Sequence, residues 1–279
     1  MKPLFSGNLP LIMGILNVTP DSFYDGGKYI DESSLEHRVK TLIREGADII
    51  DIGGESSRPG AEPVPFKEEL FRVTRALEFI DTSKYIVSVD TYKANVAREA
   101  LRRGVKIIND ISGMRFDHDM PDVIREYDAY IVIMHMKGTP RDMQKNPEYK
   151  DVMKEITEFF EERIEFALSH GIKKERIILD PGIGFGKKQE HNIEILRQVE
   201  NFKKLGYPLL IGHSRKSLIG YLTGKTDPKE RLWGTLAISA YLVLKHVDII
   251  RVHDVEPHRD LLKALEHFID IDNSIKKIK

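Results

Sequence analysis

Eight short apolar runs, each closing on a polar or charged side chain and followed by a longer segment of helical spacing, constrain this chain more than any other feature. The runs are Leu11–Leu16, Ala47–Ile52, Tyr85–Val89, Val105–Ile108, Ala129–Met134, Arg176–Leu179, Pro208–Ile211 and Asp248–Val252. They are short, rich in β-branched residues and mostly apolar, as strands of a parallel sheet covered on both faces are. Between them the apolar spacing predicts helices over Glu36–Glu45, Lys67–Phe79, Ala94–Arg103, Pro121–Glu126, Val152–His170, Asn192–Lys203, Arg231–His246 and Pro257–Asp270. Gly46, Gly104, Gly171 and Gly206 stand where helices must stop and the chain turn into the next strand.

Eight β/α units of about 35 residues close naturally into an α/β fold, a single-domain (β/α)8 TIM barrel. An open doubly wound sheet is the alternative. No linker or low-complexity tract divides the 279 residues, so residues 1–279 are expected to form one domain.

The polar strand ends are Asn17, Asp51, Asp90, Asn109 with Asp110, His135, Asp180, His213, and Arg251 with His253. In a barrel these lie at the C-terminal rim, where rigid strands hold side chains and the following loops are free to vary. Segments 17–33, 53–66 and 212–229 exceed the usual βα connection of about 2–6 residues, and they carry Gly26-Gly27, Gly53-Gly54 and Pro59-Gly60. Tight yet movable loops of this kind suit a lid over a water-sensitive reaction.

A formal net charge of −1 offers no bulk field for nucleic acid or anionic membrane. The absence of cysteine excludes disulfides, thiolate nucleophiles, thiolate zinc sites and iron–sulfur clusters, and fits a cytoplasmic address. Neither Pro10–Leu16 nor Leu236–Leu244 approaches the roughly 20 apolar residues of a membrane span. Expected partners are therefore small molecules.

Two long motifs name a family. Asn17-Val18-Thr19-Pro20-Asp21-Ser22-Phe23, with Asp25-Gly26-Gly27 beyond it, resembles the first signature of the dihydropteroate synthases. Gly53-Gly54-Glu55-Ser56-Ser57-Arg58-Pro59-Gly60-Ala61 resembles the second, with Ser57 where many members carry threonine. The likeness continues through Ser88–Thr91, Ile108–Asp110, Met134–Met136, Leu179–Gly182, Gly212–Ser217 and Arg251–Asp254, and so spans essentially the whole chain.

The resemblance implies a transferase of folate biosynthesis that joins 6-hydroxymethyl-7,8-dihydropterin diphosphate to p-aminobenzoate, with loss of diphosphate. It implies that Asp180 accepts from the pterin's amino edge, that Asp90 and Asn109 take the other ring groups, and that Lys216 donates to the ring carbonyl or N5 side. Arg251 and His253 would bind the diphosphate, and Asn17 would help hold Mg2+ that also takes diphosphate oxygens. Asp25, Ser57 and Arg58 would complete the pocket from the loops. Ser217, at the start of a helix, would receive the p-aminobenzoate carboxylate, while Phe23, Pro59 and Phe185 pack on its ring. Sulfonamides would compete there, and a homodimer is expected. Asp90 and Asn109 also read as plain strand-end caps, and Phe185 as core.

Other motifs carry less. Gly182-Ile183-Gly184-Phe185-Gly186-Lys187 lacks the Lys-Ser/Thr ending of a P-loop. Ten histidines include no His-Glu-x-x-His pair for zinc, and a glycosidase built on Asp90 and Asp180 would have a single tryptophan for sugar stacking. A pterin-dependent methyltransferase shares the pterin floor but has no diphosphate or p-aminobenzoate to hold. A non-catalytic pterin-binding protein would bind without forming product.

Overall fold

The structure is a computed structural model that describes residues 9–19, 24–25 and 29–276, with side chains over 9–19 and 31–268. Its eight parallel strands are β1 (Leu11–Asn17), β2 (Ile49–Gly53), β3 (Ile86–Asp90), β4 (Ile107–Asp110), β5 (Tyr130–Met134), β6 (Ile177–Asp180), β7 (Leu210–Ile211) and β8 (Ile249–Val252). They pair in the order 6-5-4-3-2-1-8-7. A parallel bridge between Leu179 and Leu209, with the Leu179 N–H donating to the Pro208 carbonyl at 2.9 Å, brings β6 to β7 and closes the barrel. The expected (β/α)8 barrel is the observed fold, and the open sheet is set aside.

The helices are α1 (Glu32–Arg44), α2 (Phe66–Leu77), α3 (Ala94–Arg102), α4 (Met120–Glu126), α5 (Val152–Ser169), α6 (Gln189–Arg197), α7 (Ser217–Thr223), α8 (Leu232–Leu244) and α9 (Val255–Lys276). Local chemistry sets their ends. Asp31 caps α1 through the Ser33 and Ser34 N–H groups, and Asp151 caps α5 through that of Lys154. Gly46, Gly104, Gly171 and Gly206 all take positive φ after their helices, as expected from the sequence. Segment 212–229 holds α7, which opens at Ser217 as expected, and one expectation needs correction. The expected helix to Lys203 stops at Arg197 and continues as a 3-10 turn over Val199–Leu205.

Strands alternate their side chains between the barrel interior and the helices, so two cores form. Between strands and helices lies an annulus that includes Phe160 and Phe202, edge to face with centroids 5.5 Å apart. Inside the barrel Met13, Ile49, Ile107, Val132, Ile178, Leu210 and Ile249 form a sealed apolar plug. Two residues further along the same face come Ile15, Asp51, Ser88, Asn109, Met134, Asp180 and Arg251. The interior thus changes from apolar to charged within one layer, and that change places the site. No helix of the described residues is long and apolar enough to cross a membrane.

Candidate active site

Arg251, on β8, organises the floor. Its Nε donates to Asp51 Oδ2 at 2.6 Å and its Nη2 to Asp90 Oδ2 at 2.9 Å, while Asn109 Nδ2 donates weakly to Asp51 Oδ2 at 3.3 Å. Two carboxylates in so dry a place repel one another, and the guanidinium between them compensates both. Burial pushes Asp90 up to about 7; Arg251 works against that shift and Asp51 adds to it. Burial works against Arg251's charge too, but Asp51 and Asp90 hold it above its ordinary value. Asp51 Oδ1, Ser88 Oγ and Asn109 Oδ1 are buried without a hydrogen-bond partner. Buried polar atoms normally find partners, so this floor is built to receive a polar ligand or ordered water.

A wall rises on the β6 side. Asp180 Oδ1 accepts from the Gly182 N–H at 2.8 Å. Burial raises Asp180, opposed by the Gly182 N–H and then by Lys216, Lys187 and Arg251. Lys216 caps α7, donates to the Ile183 carbonyl and sets its Nζ 4.3 Å from the centre of the Phe185 ring. Burial lowers Lys216 to about 8, against the pull of Asp180. A cation, a carboxylate and an aromatic face therefore meet along one edge of the pocket.

Asn17 ends β1 beside Gly53, where a Cβ would stand 3.3 Å from Asn17 Oδ1 and 3.9 Å from Asp90 Cβ. His253 follows β8, its Nδ1 3.0 Å from Ser214 Oγ and its carbonyl accepting from Arg38 Nη2 at 2.8 Å. Burial, then Arg251 and Arg215, hold His253 down to about 3. Phe185 is half-buried under Lys216. Ser217 opens α7, exposed, with Gln189 Nε2 at 3.4 Å from its hydroxyl. Ser57 is half-buried, and Arg58 and Pro59 are exposed on the loop after β2. That loop stands above the floor, tied at Glu55 by Lys93 Nζ at 2.6 Å, Tyr92 OH at 2.7 Å and the Val64 N–H at 2.7 Å. Phe23 and the Asp25 side chain lie outside the described residues.

Three polar strand ends turn away from the pocket. Asp110 accepts from the Ser112 and Met114 N–H groups at 2.7 and 2.8 Å and so caps its own loop. His213 lies against α8, its Nε2 2.8 Å from Ser239 Oγ, and His135 lies behind the wall against Lys187. Conversely, Asp51 and Ser88 belong to the floor; the sequence reading placed Asp51 among the polar strand ends of the rim without a ligand role, and gave Ser88 none. The signal for Ser88 was present in the period of two, one inward-facing step below Asp90. A fourth long excursion, between Met134 and Val152, was also passed over; its Pro140 carbonyl accepts from the Gly60 N–H at 2.9 Å and joins two rim loops. Among the described residues no group of three or more His, Asp or Glu could hold a metal.

A closed barrel whose C-terminal mouth opens onto buried, partnerless acceptors flanked by cations is that of a barrel enzyme acting on a small polar, partly anionic substrate. The profile of the family described as pterin binding enzyme matches residues 13–253, and the chain belongs to that family. It is 45% identical over 261 residues to dihydropteroate synthase from Synechocystis, covering 93% of this chain and 90% of the relative. It is 47% identical over 251 residues to dihydropteroate synthase from Clostridium beijerinckii, covering 89% and 90%. Among solved structures, a dihydropteroate synthase from Clostridium difficile in the presence of pteroic acid superposes with a TM-score of 0.85 at 46% identity, covering 94% of this chain and 97% of that one. The Yersinia pestis dihydropteroate synthase in complex with a sulfonamide drug gives 0.88 at 38%, covering 94% and 95%. The Xanthomonas albilineans enzyme in complex with 7,8-dihydropteroate gives 0.82 at 37%, covering 93% and 94%.

Proposed function

We infer that this chain is a transferase that condenses 6-hydroxymethyl-7,8-dihydropterin diphosphate with p-aminobenzoate, giving 7,8-dihydropteroate and diphosphate in folate biosynthesis. The observation that carries the site's part in this reading is the floor's complement of groups. Asp180 accepts from the pterin's amino edge, Asn109 and Asp90 take its remaining ring groups, and Lys216 donates to the carbonyl or N5 side. Each match satisfies a group that is otherwise buried, which is how a polar ring is selected.

The bond from the pterin methylene carbon to the diphosphate oxygen breaks, and the electron pair leaves with diphosphate. The amine nitrogen of p-aminobenzoate then forms the new bond to the methylene carbon and releases a proton to solvent. That amine is neutral near pH 7, so the reaction needs charge stabilisation and exclusion of water more than a base. Arg251 and His253 face the departing anion, with Asp25, Ser57 and Arg58 closing from the loops. Ser217 takes the p-aminobenzoate carboxylate, and Phe185, Phe23 and Pro59 pack on its ring, the subsite where sulfonamides compete. Mg2+ fits as an ion that arrives with diphosphate, since it prefers few protein oxygens plus phosphate and water, and the Asn17 Oδ1 at the rim offers one. When bound it would neutralise phosphate charge.

The reading extends to the assembly and its setting. Residues 1–279 form one domain, and the enzyme is a cytoplasmic homodimer. The dimer is supported by α8, which carries no charged residue and exposes Trp233, Ala237, Tyr241 and Leu244 along one stripe.

Purified protein given dihydropterin diphosphate, Mg2+ and p-aminobenzoate is expected to release diphosphate and dihydropteroate one for one. Asp180→Ala or Lys216→Ala, folded by circular dichroism, should lower the rate by at least about 100-fold, the scale of losing a charged partner in a buried site. Tight pterin binding without dihydropteroate would instead identify a binding protein or a methyltransferase.

Lys216 also sets a pH limit. Its folded pKa of about 8 lies below the ordinary 10.5, so the ammonium is present at pH 7 and lost as pH rises through 8. Pterin affinity measured by calorimetry is expected to fall above pH 8, whereas Lys216→Arg, charged throughout, should lack that limb. Folding stability has the opposite slope between 8 and 10.5, because there the unfolded chain binds the extra proton. A flat affinity profile to pH 9.5 would remove Lys216 from pterin recognition.

A further inference from the structure

Behind the wall that carries Asp180 and Phe185 lies a lysine whose contacts are all to uncharged groups. Lys187 is 2% exposed. Its Nζ lies 2.9 Å from the Phe185 carbonyl oxygen, 3.2 Å from the His135 carbonyl oxygen and 3.0 Å from His135 Nδ1. Three acceptors match the three protons of an ammonium. Burial drives the amine toward its neutral form, well below the ordinary lysine range; Asp180 works against that, while Lys216 and Arg115 add to it. The neutral amine keeps the same three contacts, with two N–H groups on the carbonyls and its lone pair accepting from an Nδ1–H of His135. His135 is itself held well below its ordinary range by burial, with Lys187, Arg115 and Lys137 adding to that. In either state the pair shares a proton and the loop stays tied.

The tie matters because of what the loop carries. Residues 182–186 pack against the end of β5, and their carbonyls are taken one by one: Ile183 by Lys216, Gly184 by Gln144 Nε2 at 2.6 Å, Phe185 by Lys187 and Gly186 by Tyr149 OH at 2.7 Å. Of these anchors, Lys187 holds the backbone of Phe185, whose ring packs on the cluster of Ile111, Met134, Met136 and Met143 and faces the Lys216 ammonium. A methionine would fill the same volume without the cost of burying an amine, so what lysine adds is directional bonds. We propose that Lys187, together with His135, is a positioning residue of the substrate site: it fixes the backbone of Phe185 and so the ring against which Lys216 is seated.

The proposal rests on the reading of this pocket as the pterin and p-aminobenzoate site. Its test measures the dissociation constants of dihydropterin diphosphate and p-aminobenzoate for wild type, Lys187→Met, Phe185→Ala and the double variant, between pH 6.5 and 9.5. Lys187→Met is expected to fold and to bind about 10-fold more weakly. Its alkaline limb, near pH 8 in the wild type, should move upward, because a loosened ring admits water to Lys216. Of the charged groups around Lys216, Asp180, Arg251 and Asp90 are the same in both proteins; the Lys187 amine, which couples to Lys216, is removed in Lys187→Met and Lys187→Gln alike, so a limb that moves in Lys187→Met and not in Lys187→Gln reports the ring and not the lost amine. The double variant should lose no more than Phe185→Ala alone, since Lys187 acts through that ring. Affinities within twofold of wild type with an unmoved limb, or losses that multiply, would overturn the proposal. Lys187→Gln keeps two N–H donors for the two carbonyls and should stay within about twofold of wild type; where Lys187→Met does not fold, Lys187→Leu takes over the comparison. Failure of both to fold makes Lys187 a residue of the core and also overturns it. A wild type that binds no dihydropterin diphosphate would overturn the reading of the site instead.

Discussion

Arg251→Met is expected to lose about 3–5 kcal/mol of folding stability near pH 7.5, the cost of leaving buried charge uncompensated. The guanidinium is 18% exposed, Asp51 is sealed, and the two carboxylates share that one cation. Without it their repulsion is unopposed in a dry interior, and Asp90, already raised to about 7 by burial, moves higher. An acid whose folded pKa lies above its unfolded value of 3.8 binds protons preferentially in the folded state. Stability is then greatest below 3.8 and falls as pH rises toward the folded pKa, so the variant should regain stability on acidification from pH 7.5 to 5.5. Wild type should follow the same sign more weakly. Urea melts at three pH values decide the matter: a variant as stable as wild type at pH 7.5, or one that weakens on acidification, would show that Arg251 does not compensate the floor. Adding Asp51→Asn to Arg251→Met should recover much of the loss, because the two residues share one interaction.

The fold was legible because its rule is simple. All eight strands were readable as apolar runs, since parallel strands buried on both faces have nowhere to place a polar residue until they reach the rim. What escaped notice was decided by tertiary contact. The helix expected through Lys203 gives way to a 3-10 turn after Arg197, where no Pro or Gly marks a stop. The start of α7 at Ser217 was anticipated, but its seven residues are too few to show a helical period, so its extent, set by the conformations of Lys216 and Gly224, was not.

For the site, a strand's terminal polar residue can point into the barrel or out of it, and a one-residue difference decides. Asn109 points in and neighbouring Asp110 caps a loop; His253 stands by the rim and His213 lies under α8. Counting inward from the apolar plug would have separated these pairs, put Asp51 on the floor and also found Ser88. Lys187 could not have been found that way. Its role depends on which carbonyls the loop turns toward it, and those are set by the positive φ of Gly182, Gly184 and Gly186. The single P-loop-like feature of the chain is thus a loop whose glycines lay backbone against backbone rather than around a phosphate.

Gly182→Ala is the sharpest test of that arrangement, with an expected loss of about 2–5 kcal/mol and pterin affinity lowered by at least about 10-fold. Gly182 sits at φ 67°, where a side chain costs roughly 1–2 kcal/mol, and a Cβ there would fall 2.1 Å from the His135 carbonyl oxygen. That oxygen belongs to the backbone at the end of β5, and it also accepts from Lys187, so it cannot swing aside as a flexible side chain would. Relief must come from the loop moving off the strand, at the cost of roughly 1–3 kcal/mol typical of overpacking. Such movement pulls the Gly182 N–H from Asp180 Oδ1, lets the Asp180 pKa rise, and carries Phe185 from beneath Lys216. Gly224→Ala is the control: its φ of 73° is as unfavourable, but nothing lies within 4 Å of the added Cβ, so it should lose only the backbone part and bind pterin normally. Equal losses in the two variants would mean that backbone conformation alone matters and that close packing of the β6 loop on β5 does not shape the site.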